Sequence, residues 1–212
     1  RNDRDRVIIN IGGIANITIL PKDGAYSAYD IGPGNVLMDY WNLKKQGKPY
    51  DKNGEWAATG QCDQELLKKM LEEPYLKNPP PKSTGRELFN GVWLESIISR
   101  HNGHLKTEDV QATLTVFTSK CIADAVNNLA EDPEVYICGG GVHNSCLMNN
   151  LKTGIENCPV MTTSVLGLEP DWVEAATFAW LAKKTIKGEK LETAPFTGAT
   201  KPCILGGIYL SD

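Results

Sequence analysis

No apolar run in the sequence is long enough to cross a bilayer. The most apolar stretch, Val7 to Leu20, is interrupted by Asn10, Gly12, Gly13, Asn16 and Thr18. Nor is there a block of like charge: 22 Lys plus Arg stand against 26 Asp plus Glu, a formal net charge of −4. That balance argues against a nucleic-acid partner or a polybasic membrane surface, and leaves neutral sugars and metal-screened phosphates open. The six cysteines (Cys62, Cys121, Cys138, Cys146, Cys158 and Cys203) include no C-x-x-C pair. Several fall in segments that read as buried strand or helix, so reduced thiols and a cytoplasmic location are expected. Histidine is scarce; His101 and His104 share a glycine-containing loop with no third ligand nearby and His143 borders a triple glycine, which argues against zinc. Walker A and G-x-S-x-G sequences are absent, as are repeats and low-complexity tracts. An initiator Met is also missing. The charged run from Arg1 enters a strand-like segment within six residues, which reads as a cut chain without a targeting signal.

With 212 residues, 41% of them hydrophobic, the chain can bury a core in one domain or two small ones. Its first thirty residues read as three strands, Val7 to Ile11, Ile14 to Leu20 and Ala25 to Tyr29, with turns at Gly12-Gly13 and Pro21 to Gly24. A helix follows from Asn35 to Lys45, stopped by Gly47 and Pro49. Residues 50–106 are less regular, with a short helix near Gln64 to Leu71 and a Pro79-Pro80-Pro81 break, and read as an insertion or cap. The longest helix is expected over Thr107 to Ala130, where Val110, Leu114, Phe117, Cys121, Ala125 and Leu129 form one stripe widened by Ile122 and Val126. Strand Val135 to Cys138, a helix from Asn144 to Lys152, strand Val160 to Thr163 and a helix from Asp171 to Lys184 complete the order. Three meander strands followed by βα units on a mixed sheet is an α/β layout of the ribonuclease H-like kind, used by actin-like ATPases and sugar kinases. A doubly wound dinucleotide fold would begin βαβ instead.

Several residues could carry chemistry, each with a plain structural alternative. Gly12 and Gly13 let the backbone approach a phosphate, or simply make a tight hairpin. Asp30, read at a strand end before Gly32-Pro33-Gly34, could be a general base or hold magnesium through water, or could cap the turn. Asn35 and Asp39, at i and i+4, share a helix face that points to the same site or to solvent. In Pro81 to Glu87, Lys82, Ser83, Thr84 and Arg86 could hold an anion, although Thr84 and Glu87 have capping-box spacing, which is the favoured reading. Gly139, Gly140 and Gly141 suit close approach of a nucleotide, and Asn144 is expected on the nucleotide side with them while also able to cap the helix, but a third spaced glycine and an acidic residue after the next strand are missing for a Rossmann site. Glu174 lies in a helix apolar nearly all round, so its carboxylate needs a partner or ligand, unless it forms an exposed stripe with Asp171 and Thr177.

Together, Ile9-Asn-Ile-Gly-Gly-Ile-Ala-Asn16, Asp30-Ile-Gly-Pro-Gly-Asn-Val-Leu-Met-Asp39, Pro81-Lys-Ser-Thr-Gly-Arg-Glu87, Cys138-Gly-Gly-Gly141 with Asn144, and Glu174-Ala-Ala-Thr-Phe-Ala-Trp180 resemble the anhydro-N-acetylmuramic acid kinase family. The resemblance implies a two-domain, actin-like sugar kinase that uses ATP and magnesium. It would open the 1,6-anhydro ring with water and give N-acetylmuramic acid 6-phosphate, in cell-wall recycling. It implies Asp30 as catalytic base, Gly12 and Gly13 as the second phosphate loop, Gly139 to Gly141 as the adenosine-side turn, Glu174 and Asn35 as sugar-side residues, and a homodimer at full length. The family's N-terminal Gly-Thr-Met-Ser-Gly-Thr-Ser-Leu-Asp-Gly phosphate loop is absent here, so the chain is expected to be the C-terminal lobe and inactive alone. The alternatives are a non-catalytic actin-like module that binds a sugar or partner, and a related kinase for another sugar.

Overall fold

The structure is a computed structural model that describes residues 4–129, 133–197 and 199–209. The start of the charged N-terminal run and the expected helix end at Ala130 lie outside the described residues. Five strands form one sheet: β1 (Arg6–Ile11), β2 (Ile14–Leu20), β3 (Ser27–Pro33), β4 (Glu134–Cys138) and β5 (Val160–Thr162), in spatial order β3-β2-β1-β4-β5. The β1–β2 and β2–β3 pairs are antiparallel, while β4 runs parallel to β1 and β5 parallel to β4. This is the ribonuclease H-like arrangement expected from element order. One topological consequence matters for function: β1, β3, β4 and β5 all point the same way, so the loops after them gather at one sheet end.

Alternation decides the faces. Val7, Ile9 and Ile11 of β1 and Ala15 and Ile17 of β2 are fully buried, with half-exposed residues between them. β4, flanked on both sides, is buried at Val135, Tyr136, Ile137 and Cys138 alike, as a parallel strand covered on both faces should be. The third strand extends to Pro33, beyond the expected end at Tyr29, so Asp30 sits within β3 opposite Asn16, next to a bulge at Ala15 and Asn16. Pro33 is tolerated because β3 is an edge strand.

The helices are α1 (Val36–Gln46), α2 (Gln64–Leu71), α3 (Gly91–Ile98), α4 (Thr107–Asn127), α5 (Ser145–Gly154), α6 (Val173–Ile186) and the single turn α7 (Ala194–Thr197). Along α4, Val110, Leu114, Phe117, Cys121, Ile122 and Val126 are buried in the core shared with β1, β2 and α1. Helix α3 has no counterpart among the expected elements, although Asn90 caps it, its side chain accepting from the Trp93 N–H at 3.0 Å. Residues 50–106 are anchored firmly: Leu66, Leu67, Met70, Phe89, Leu94 and Ile97 join the core. Helix α6 behaves differently, because none of its residues is buried. No helix among the described residues is long and apolar enough to cross a membrane.

Candidate active site

At the sheet end where β1 and β4 finish, backbone-to-backbone contacts bring the two glycine turns together. The Gly34 N–H donates to the Gly13 carbonyl (2.9 Å), Asn35 N–H to the Gly12 carbonyl (2.8 Å) and Val36 N–H to the Gly13 carbonyl (3.1 Å). The turn after β1 is therefore stapled to the loop that starts α1. A side chain on Gly34 would collide with the Gly12 carbonyl, which explains why that position holds glycine. Gly139 has φ +79° and presses on Asn10 and Ile11, and Gly141 on Ile11, so the two turns interlock. Gly12, Gly13 and Gly140 have no atom closer than 3.6 Å to where a Cβ would stand. Their open sides form a cradle lined by backbone, the surface that a phosphate approaches.

Beside it lies a cavity of about 470 Å³ lined by Asn35, Met38, Asp39, Tyr50, Asp51, Lys52, Asn53, Gly140, His143 and Asn144. Its volume and its mixture of apolar and polar walls suit a nucleoside-sized ligand. The expected shared face of Asn35 and Asp39 is present, since both line it. The Asn35 side chain donates to the Ile11 carbonyl (3.3 Å) and so bridges α1 to the end of β1. Asn144 does cap α5, accepting from the Leu147 N–H at 3.0 Å. Burial pushes the Asp39 carboxyl up to about 6, against the pull of the Arg86 guanidinium.

One wall has no counterpart in the sequence reading. Tyr50 to Asn53 come from a stretch without periodicity, held in place by the Asp51 carboxylate, which accepts from the N–H groups of Trp56 (2.9 Å) and Ala57 (2.8 Å). The usable signal is Asn53-Gly54, a pair suited to left-handed backbone, and both residues adopt it at φ +58° and +71°. His143 also lines the cavity, its Nε2 lying 2.9 Å from an Asp171 oxygen.

Asp30 lies on the β3 side of this end. Its Oδ2 accepts from the Ser83 hydroxyl (2.8 Å) and the Thr84 N–H (3.0 Å), while Oδ1 accepts nothing from a described residue. Its backbone is fixed as well, since the Tyr75 hydroxyl donates to its carbonyl (2.7 Å). The capping-box reading of Thr84 and Glu87 fails: residues 86–88 form a turn, and the Thr84 N–H is spent on Asp30. A carboxylate gripped on one oxygen and open on the other is arranged to accept a proton.

Glu174 stands apart. It is exposed in the first turn of α6, is not among the cavity residues and has no hydrogen-bonded partner among the described residues. The burial expected from the helix's apolar composition is absent, so burial gives no reason for its carboxylate to need a ligand. No group of three or more His, Cys, Asp or Glu among the described residues could hold a metal directly.

Residues 1–211 match the family model for anhydro-N-acetylmuramic acid kinase. A protein of that name from Saccharophagus degradans is 46% identical over 205 residues, covering 97% of this chain and 55% of its own length. Another from Coxiella burnetii is 44% identical over 208 residues, again covering 97% of this chain and 55% of its own. The chain thus spans about half the length of the curated relatives it matches. Among solved structures, the activator of the 2-hydroxyisocaproyl-CoA dehydratase from Clostridium difficile, with bound ADPNP, superposes with a TM-score of 0.51 at 19% identity. That match covers 91% of this chain and 66% of that one, and at such identity it bears on the fold alone. With the family model matched over residues 1–211, the chain belongs to the anhydro-N-acetylmuramic acid kinase family.

Proposed function

We propose that this chain is the C-terminal lobe of a sugar kinase that uses ATP to open 1,6-anhydro-N-acetylmuramic acid and phosphorylate its 6-oxygen, in cytoplasmic cell-wall recycling. The observation that carries the reading is Asp30, with one carboxylate oxygen clamped by Ser83 and Thr84 and the other open. In the reaction, Asp30 takes a proton from water as the water oxygen bonds to the anomeric carbon. The bond from that carbon to the 6-oxygen breaks, and the 6-oxygen displaces ADP from the γ-phosphorus, giving N-acetylmuramic acid 6-phosphate. The interlocked glycine turns offer backbone to the phosphates and the 470 Å³ cavity takes the nucleoside. Magnesium, which keeps several waters, would be held through water by Asp30 and Asp39 and would neutralise phosphate charge.

The partner required is the rest of the family's length, together with the sugar. A site built on one sheet end leaves its other side open, and Trp172 just before α6 (66% exposed) and Phe178 (64%) and Ile186 (74%) within it are presented outward. A second lobe seated on that side would bury these groups and close water out of the site. Sugar contacts by Glu174 and Asn35, and a homodimer at full length, follow from the family pattern. In the complete protein, this chain joined to the remaining portion of the family's length, Asp30→Asn is expected to lower kcat by about 10²–10⁴-fold. ATP affinity should fall far less than kcat, because on this reading the carboxylate acts on the attacking water and reaches the nucleotide only through magnesium-bound water. Substantial retained turnover would remove Asp30 from the role of base.

A further inference from the structure

The segment from Lys82 to Arg86 is a strap laid along β3, and it does more than hold Asp30. Its first residue is pinned: the Asp30 N–H donates to the Lys82 carbonyl (3.2 Å), and Lys82 Nζ donates to the carbonyls of Tyr75 (3.3 Å) and Leu76 (3.2 Å) while lying 4.7 Å from the centre of the Tyr75 ring. Ser83 and Thr84 then grip the Asp30 carboxylate. Two residues later the Arg86 guanidinium lies against the β1–β2 turn. Its Nη2 and Nε sit 3.6 and 3.8 Å from where a Cβ of Gly13 would be, and its field reaches Asp39. The side chain is exposed, and the guanidinium has no hydrogen bond or ion pair with any described residue. A guanidinium carries five donors in a planar fork that matches carboxylate and phosphate oxygens. This one is parked at the open side of a glycine turn with nothing to donate to.

We propose that Arg86 is a phosphate-contacting residue, donating to phosphoryl oxygens of the nucleoside triphosphate presented at the Gly12-Gly13 turn. The inference rests on the kinase reading above and adds a residue to it. A guanidinium fork suits a carboxylate as well as a phosphate, and the proposed sugar carries a lactyl carboxylate; position favours the polyphosphate, because the fork lies against the open side of Gly13, in the backbone cradle that a phosphate approaches. The strap consequently delivers both orientation of the base, through Ser83, and charge for the transferring group, through Arg86. A shift of the strap would misplace the two together.

The test is calorimetry on the complete protein with ATP, ADP and adenosine as probes, for the wild type, Arg86→Gln and Arg86→Lys. Arg86→Gln is expected to weaken ATP binding about 10- to 100-fold while leaving adenosine affinity unchanged, with Arg86→Lys between. Equal ATP affinity in wild type and Arg86→Gln overturns the proposal. A parallel measurement needs no variant: ATP, but not adenosine, should protect Arg86 of the wild type from phenylglyoxal, and modification at an unchanged rate also overturns it. The two readings fail separately. Wild type that turns over the anhydro-sugar with Arg86 irrelevant to ATP defeats this inference alone. Wild type that binds ATP in an Arg86-dependent way without acting on the sugar defeats the substrate reading alone. No ATP binding by the wild type defeats both.

Discussion

Helix α4 buries thirteen of its twenty-one residues, whereas α6 buries none of its fourteen, although both are rich in apolar side chains. The difference lies in what each helix faces. α4 packs on β3 and has α1, α2 and α5 around it, so its stripe is absorbed in one closed core with Val7, Ile9 and Ile11. α6 leaves the body after Pro170, whose carbonyl accepts the Gly139 N–H (3.2 Å), and beyond that tie it presents Phe178 and Trp180 outward. Apolar composition therefore reports that a helix is to be covered, without saying by what. In α4 the cover is this chain. In α6 the cover is, on our reading, the part of the family's length outside it, at about 1.5–3 kcal/mol for each large side chain buried.

That contrast is open to experiment, most severely at the core. Phe117→Ala should cost about 3–5 kcal/mol in denaturant unfolding, since Phe117 is fully buried and stacks on Trp93 at 6.0 Å between ring centres. Phe178→Ala is its counterpart on α6. It should change the stability of the 212-residue chain by less than about 0.5 kcal/mol, yet cost about 1.5–3 kcal/mol in the complete protein. Equal effects of Phe178→Ala in the two would erase the distinction between a self-covered and a partner-covered helix.

The sheet end that carries the site makes smaller predictions. Asn144→Ala should cost about 1 kcal/mol through loss of the α5 cap, measured by chemical unfolding. Asp39 gives a pH signature. Its folded pKa, about 6, lies above the ordinary value of 3.8, so the folded chain holds more protons than the unfolded one between those values. Stability is thus highest below about pH 4 with respect to this group and declines as pH rises through 6. Asp39→Asn should remove that slope and raise the melting temperature at pH 7. Arg86→Gln should do the reverse, because losing the nearby cation moves the Asp39 titration higher.

Much of this fold is legible in the sequence. Period-two alternation marks β1 and β2, glycine pairs mark the turns, and the α4 stripe finds the large apolar side chains of its buried face, while Ala125 and Leu129 are only half-buried and the buried polar residues Gln111, Thr113, Thr115, Thr118 and Ser119 carry no apolar signal. The illegible parts share a physical cause: their conformation is decided by distant partners. Gly32-Pro33-Gly34 is turn chemistry and so suggests a strand end at Asp30, but edge position lets β3 run on to Pro33. Thr84 has the spacing of a helix cap because local pattern cannot reveal that its N–H is claimed by a residue fifty-four positions away. Tyr50 to Asn53 carry no periodic signal, and become a cavity wall only when Asp51 anchors them to Trp56 and Ala57. In α6, apolar composition alone overstates burial, since the helix lies outside the core that this chain builds.

The most direct test compares ADP release from ATP, with and without 1,6-anhydro-N-acetylmuramic acid, by the 212-residue chain and by the complete protein under the same conditions. Our account predicts sugar-dependent ADP from the complete protein and none from the chain alone, because Asp30 and the glycine turns form one side of a site that needs its other side. Sugar-dependent ADP release by the 212 residues alone would contradict it.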